Sequence, residues 1–188
     1  INAPFGGNLY RMRDPKDVVE EICNLWKVYG VKTFKIVDEM FILNEKHYVE
    51  ICRRLIEANN LARIDIDELN IWAYARIDTV KAGHLPLLRA AGFRWLALGI
   101  ESGSAHVREG ANKKLDGTDI GIIVRQIQLN DINVIGNYIF GLPDDDIATM
   151  QETLDLAIDL NTEFANFYSA MAYPGSKLYD EALAKGWT

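Results

Sequence analysis

The chain has 188 residues, 49% of them hydrophobic and 25% charged, enough for a single domain over residues 1–188 with a sizeable core and no linker to divide it. Its 27 acidic side chains outnumber 20 basic ones, for a formal net charge of -7, and no basic cluster offsets the excess, so general nucleic-acid binding by phosphate neutralisation is not expected. No apolar run reaches bilayer length and no signal peptide opens the chain, so a soluble domain without membrane contact is expected.

The opening INAPFGGNLY reads as a loop through Asn2, Pro4, Gly6, Gly7 and Asn8. Asp14 then caps a helix whose first position suits Pro15. In an alternating α/β chain such a loop follows a strand, so a strand is expected upstream of Ile1. VKTFKIVDE (31–39) is strand-like, and Asn44 caps a helix whose apolar positions Tyr48, Ile51, Cys52, Leu55 and Ile56 recur at the 3.6 period. LNIWAYARID (69–78) is the next strand, and the helix after it, through LPLLRAAG, stops at Gly92. FRWLALGIES (93–102) is followed by a helix beginning near Asp116 to Asp119 and carrying Ile122, Ile123, Ile127 and Leu129. INVIGNYIFGLPDDD (132–146) is a strand with an acidic turn suited to start the helix TMQETLDLAIDL. EFANFYSAMAYPGS (163–176) is the last strand, and KLYDEALAKG its helix.

Five strands, apolar on both faces and each returned by a helix, predict a parallel sheet covered by helices. Right-handed crossovers either close such a sheet into a barrel or wind it on both faces. The barrel, full or partial, is preferred because no GxGxxG turn follows a strand. Cys23 and Cys52 sit among apolar residues at helical spacing and read as buried small hydrophobes. His47, His84 and His106 have no second ligand at metal spacing and read as ordinary surface or helix residues.

The carboxyl ends of parallel strands face the site in α/β proteins. Those positions are Asp38 and Glu39, then Arg76 and Asp78, then Glu101 and Ser102, then Asn137, Gly141 and Asp144, and last Ser169, Tyr173, Pro174 and Gly175. Such a rim has acceptors for an ammonium or for ribose hydroxyls, an arginine able to clamp a carboxylate, and open backbone at Gly141 and Gly175 for a flat ring. A zwitterionic nucleoside suits it. The plainer reading is that strand-end charges cap helices or pair with each other, which fits Asp78 and Asp146 best. Asp38 and Glu39, adjacent on a strand, would point to opposite faces, so only one can aim inward.

In order and spacing these residues resemble the radical S-adenosylmethionine superfamily, especially its Fe-S oxidoreductases with cobalamin-binding relatives. YRMRDPKDVVEEI is similar to the helix after that family's cluster loop. VDEMF resembles the acidic turn that contacts the amino group of the methionine moiety, which implies that role for Asp38 and Glu39. WAYARID resembles the third-strand motif and implies that Arg76 meets the carboxylate or a substrate. LGIESGS resembles the ribose motif, with Glu101 and Ser102, and NYIFGLPD the adenine-contacting motif, with Asn137, Ile139 and Gly141. Asn137 stands where a glycine is usual and Asp144 where a glutamate is usual. YPGSKLYDE resembles the segment after the sixth strand and brings Tyr173 into the cofactor-binding set.

The family's three-cysteine loop, CxxxCxxC, does not occur here, and two cysteines in separate helices cannot replace it. The resemblance therefore implies a (β/α)6-type partial TIM barrel whose first strand and cysteine loop lie upstream. It implies a parent enzyme that binds S-adenosylmethionine beside a 4Fe-4S cluster and cleaves it reductively to a 5′-deoxyadenosyl radical, with residues 1–188 alone not turning over. Cobalamin in the parent, a flavodoxin or ferredoxin as reductant and a cytoplasmic location are further expectations; the substrate is not specified. Two other readings stay open. One is a (β/α)8 hydrolase or lyase with Asp38, Glu101 and Asp144 on a divalent metal. The other is a non-catalytic barrel used as a binding module.

Overall fold

The computed structural model describes residues 11–111 and 119–187. The opening loop and the helix start expected at Asp116 lie outside them. In chain order the regular elements are α1 (Pro15–Tyr29), β1 (Thr33–Lys35), α2 (Glu45–Asn60), β2 (Asn70–Arg76), α3 (Leu85–Ala90), β3 (Phe93–Glu101), α4 (Ala105–Gly110), α5 (Ile120–Leu129), β4 (Asn133–Phe140), α6 (Ile147–Leu160), β5 (Phe164–Ser169) and α7 (Lys177–Lys185).

Local chemistry sets most helix boundaries. Asp14 accepts from the Lys16 amide at 2.8 Å, Pro15 opens α1, and Gly30 at φ 64° closes it by donating to the Trp26 and Leu25 carbonyls. Asn44 caps α2 through the His47 amide, and Asp119 caps α5 through the Ile122 amide. At α6 the Asp146 carboxylate accepts from the Thr149 amide while the Thr149 hydroxyl accepts from the Asp146 amide, a reciprocal capping box. The short helix α4 is not foreseen by the sequence pattern; only Ser104 at its N-cap hints at it.

The five strands pair in parallel in the order β1-β2-β3-β4-β5. They curl into a half-barrel, so that residues of all five strands, from Thr33 on β1 to Phe164 on β5, line one cavity. The expected parallel α/β half-barrel is therefore the architecture found. Two strand lengths differ from expectation. β1 spans three residues rather than nine, with one more ladder bond from the Ile36 amide to the Trp72 carbonyl, because an edge strand has one neighbour to hold it. β5 stops at Ser169, and its continuation turns at Tyr173–Ser176, where Gly175 takes φ 82°.

The core lies between the convex face of the sheet and the helices. Ile71, Ala73 and Ala75 of β2, Leu96, Leu98 and Ile100 of β3, and Val134 and Tyr138 of β4 pack under Ile22 of α1, Ile51 and Leu55 of α2, and Val124 of α5. Removing this surface from water is the main stabilising term. The concave face corrects the expectation of strands apolar on both faces. On β2 it carries Asn70, Trp72, Tyr74 and Arg76, all partly exposed, alternating with the buried set.

Cys23 and Cys52 are free thiols buried in α1 and α2, as expected. Burial pushes the Cys52 thiol up to about 12 and raises that of Cys23. His84 departs from the expected surface role: its Nδ1 lies 2.6 Å from the hydroxyl of Tyr48, a buried α2 residue. His47 donates from Nε2 to the Arg13 carbonyl at 2.8 Å. No described helix is long and apolar enough to cross a membrane.

Candidate functional site

Strand register assembles the site. Arg76 on β2 pairs with Gly99 on β3, Gly99 with Asn137 on β4, and Asn137 with Asn166 on β5. Neighbouring strands lie about 4.8 Å apart, so this row crosses four strands without a gap, from the carboxyl end of β2 to the middle of β5. Side chains two residues apart share a face, which puts the row on the concave side with Trp72, Trp95 and Ile135.

A register shift between Gly99 and Glu101 breaks the regular ladder, and Glu101 takes φ 70°, a left-handed conformation that costs a non-glycine residue on the order of 1–3 kcal/mol. The bulge folds the Glu101 carboxylate back over Gly99, into the row. Asn137 ties the row together. Its Nδ2 donates to the Leu98 carbonyl at 3.2 Å, and its Oδ1 accepts from Asn166 Nδ2 at 3.0 Å and the Tyr168 hydroxyl at 3.5 Å. Arg76 donates through Nε and Nη2 to both oxygens of Asp78, at 2.9 and 2.7 Å. That bidentate pair is the mutual pairing of strand-end charges weighed for Asp78, and it holds the Arg76 fork in one orientation.

Other residues of the expected set lie around this row. Ile139, next along the inner face of β4, pairs with Tyr168. Gly141 follows at φ 79°, its amide donating to Asp145 Oδ2 at 2.8 Å. Tyr173 stands beyond β5, half exposed, with its hydroxyl on the Met171 sulfur at 3.5 Å. Asp38 and Glu39 fall past the end of β1, so strand alternation does not govern them. Both line a cavity of about 740 Å³ between α1 and the outer edge of β1, and Asp38 accepts from the Met40 amide at 2.9 Å. The row of Arg76, Gly99 and Asn137 lines neither this cavity nor the smaller one at the amino ends of the strands.

Ser102 is set apart. It is fully buried, its Oγ 3.1 Å from Thr153 Oγ1 on α6 and accepting from the Ser104 amide. The same Thr153 hydroxyl accepts from the Gly103 amide at 2.8 Å, and Arg108 donates to the Ser102 and Gly103 carbonyls. Its hydroxyl is committed to the interior, so a ribose contact by this side chain does not fit the geometry. Asp144, at φ 69°, sets its carboxylate against Gly110 of α4. Among the described residues no three of the His, Cys, Asp and Glu side chains converge as a metal site. The triad of Asp38, Glu101 and Asp144 required by a divalent-metal enzyme is therefore not assembled.

Sequence reasoning missed Asn166 and Tyr168, which buttress Asn137. The signal was present in FANFYS, where positions 164, 166 and 168 share a face. It also missed Lys35, whose ammonium lies 4.5 Å from the Trp72 ring centroid and 5.3 Å from that of Tyr74.

No family model matches the chain. It is 27% identical over 179 residues to an uncharacterized methyltransferase of Pyrococcus horikoshii, an alignment covering 95% of this chain and 37% of the relative. It is 33% identical over 178 residues to the anaerobic magnesium-protoporphyrin IX monomethyl ester cyclase of Rubrivivax gelatinosus, covering 92% of this chain and 30% of the relative. The chain thus spans about a third of the length of these curated relatives. Among solved structures it superposes on TsrM from Kitasatospora setae, described as a radical S-adenosylmethionine methyltransferase with cobalamin and a 4Fe-4S cluster bound. The TM-score is 0.84 at 20% identity, over 95% of this chain and 33% of that one. The radical SAM enzyme coproporphyrinogen III oxidase of Escherichia coli gives 0.64 at 18% identity, over 92% and 42%. At these identities the likeness to solved structures is one of fold.

Proposed function

We propose that this chain, which belongs to the radical S-adenosylmethionine superfamily, forms the nucleoside-binding wall of an enzyme of the methyltransferase or cyclase type. The observation that carries the proposal is the unbroken row of Arg76, Gly99 with the folded-back Glu101, and Asn137 at the carboxyl ends of a curled parallel sheet.

The donors and acceptors present fit S-adenosylmethionine. Glu101 offers an acceptor for ribose hydroxyls, Ile139 and the open backbone at Gly141 a seat for adenine, and Arg76 a cation for the carboxylate. Asp38 and Glu39 offer acceptors for the ammonium, Asn137 a fixed amide between ribose and base, and Tyr173 a ring at the outer margin. Ser102 acts as a positioning residue that holds the turn after Glu101. When bound, the sulfonium supplies a methyl group or, on reduction, a 5′-deoxyadenosyl radical. The residues described do not fit the 4Fe-4S cluster, since both cysteines are buried, protonated and helical. Its thiolate ligands belong, in this proposal, to a part of the parent beyond residues 1–188, as does any cobalamin. The parent is placed in the cytoplasm with a flavodoxin or ferredoxin as electron donor, and residues 1–188 alone are not expected to turn over.

The deciding experiment is equilibrium dialysis of S-adenosylmethionine against the parent protein loaded with iron and sulfide under anaerobic conditions. Saturable binding weakened about tenfold or more by Glu101→Gln, the scale of one charged hydrogen bond, is expected. Absence of saturable binding, or a Glu101→Gln variant that binds as the wild type does, overturns the proposal.

A further inference from the structure

The concave face below the cofactor row carries a composition that a packed barrel interior does not need. Fully packed barrel interiors are filled mainly by branched aliphatic side chains. Here a cavity of about 290 Å³, at the lower end of the range for small-molecule sites, is lined by Thr33, Asn70, Trp72, Trp95, Ile135, Phe164 and Asn166, with three aromatic rings and two amides against a single branched aliphatic side chain. Trp72 and Trp95 are register partners on adjacent strands, so their rings begin from neighbouring positions on one face. Lys35 pairs in register with Trp72 and sets its ammonium over that ring; it lines the neighbouring cavity beside α1 and reaches the floor only through the Trp72 ring. Among the described residues no carboxylate lies within salt-bridge distance of the Lys35 ammonium. A cation over an indole, beside further aromatic surface and two amides, is complementary to a flat ring that bears a negative charge.

We propose that this floor of the half-barrel is a binding site for a planar aromatic carboxylate. Its ring rests on the Trp72, Trp95 and Phe164 surface, its carboxylate meets Lys35, and Asn70 receives ring substituents. Four residues along β2 separate Trp72 from Arg76, about 13 Å at the strand rise, so the aromatic floor lies below Arg76, while Asn166, bonded to Asn137, borders both the floor and the cofactor row; the inference goes beyond the cofactor reading without depending on it.

The test is titration calorimetry of the parent protein with 2-naphthoate, its uncharged isostere 2-naphthamide, and cyclohexanecarboxylate, alongside S-adenosylmethionine. The expected result is that 2-naphthoate binds about tenfold more tightly than either analogue, that Lys35→Gln removes its advantage over the amide, and that Trp95→Leu weakens both naphthyl probes. Lys35 is exposed on an edge strand, so its variant is expected to fold; thermal melts check both variants. No binding of 2-naphthoate, equal affinity for acid and amide, or a preference that survives Lys35→Gln overturns the inference. Loss of S-adenosylmethionine binding with 2-naphthoate binding intact overturns the cofactor reading alone, and the reverse overturns the floor site alone.

Discussion

A methyl group placed on Gly99 would stand 2.9 Å from Oε1 of Glu101, so the Glu101 carboxylate fills the space that any side chain at position 99 would need. The obstructing atom is the end of a flexible side chain, not backbone. Gly99→Ala is therefore expected to keep the fold, with a melting temperature at or slightly above that of the parent, because alanine restricts the unfolded chain more than glycine does. Displacing the carboxylate from the row is expected to weaken S-adenosylmethionine binding about tenfold. Calorimetry and a thermal melt on the same sample check both parts.

Glu101 itself sits at φ 70°, where a Cβ is strained. Glu101→Gly removes that strain and is expected to raise stability by about 1 kcal/mol while abolishing the carboxylate's contribution to binding. Urea unfolding and cofactor binding would move in opposite directions. A variant that loses both would place Glu101 in the fold's own stability and not in the site.

Behind the bulge, a Cβ on Gly103 would lie 2.4 Å from the Glu152 carbonyl oxygen and 2.7 Å from the Thr153 amide. Backbone cannot swing aside as a side chain can, so Gly103→Ala is expected to cost about 1–3 kcal/mol by overpacking. Thr153→Val keeps the shape but leaves the buried Ser102 hydroxyl and the Gly103 amide without their partner, at a cost of about 1–3 kcal/mol. Urea midpoints measure both. Because Ser102 works through the turn it holds, Ser102→Ala is expected to lower stability more than it lowers cofactor affinity.

Burial pushes the phenols of Tyr48 and Tyr138 and the thiol of Cys52 up to about 12, from ordinary values of 10.0 and 9.0. A group whose folded-state pKa is raised contributes stability that is fully present below its unfolded value and is lost as pH rises through the folded one. Stability is therefore expected to be flat toward neutral pH, to begin falling near pH 9 as the unfolded chain releases the Cys52 proton, and to fall faster from pH 10 to about 12. Each group adds at most about 1.4 kcal/mol per pH unit to the slope. Urea midpoints from pH 8 to pH 12 test this, and Tyr48→Phe should flatten the upper part of the profile. Below pH 9 neither cysteine should react with a thiol reagent in the folded protein, since the thiolate is the reactive form.

Much of the fold is legible in the sequence because it rests on interactions a few residues apart. The Asp14 and Asn44 caps, the glycine stop at Gly92, and the 3.6-residue apolar spacing of α2 are all such short-range arrangements. So is the strand-end position of Arg76, Glu101, Asn137 and Gly141. β1 was overdrawn because apolar β-formers continue past Lys35, whereas an edge strand is held by a single ladder.

What the sequence alone determined is the alternation of strand and helix, the parallel sheet that alternation implies, and the residues that end each strand, since periodicity and capping act within a few residues. Tertiary structure alone decided which way those residues face and what they meet. Ser102 turns inward because Thr153, 51 positions on, sits within hydrogen-bonding reach. Asn137 gains Asn166 and Tyr168 only through the β4 and β5 register, and Thr33 and Phe164 come to line one cavity only because the sheet curls. Register and curl arise from packing the whole convex face against its helices, a cooperative property that no window of a few residues contains.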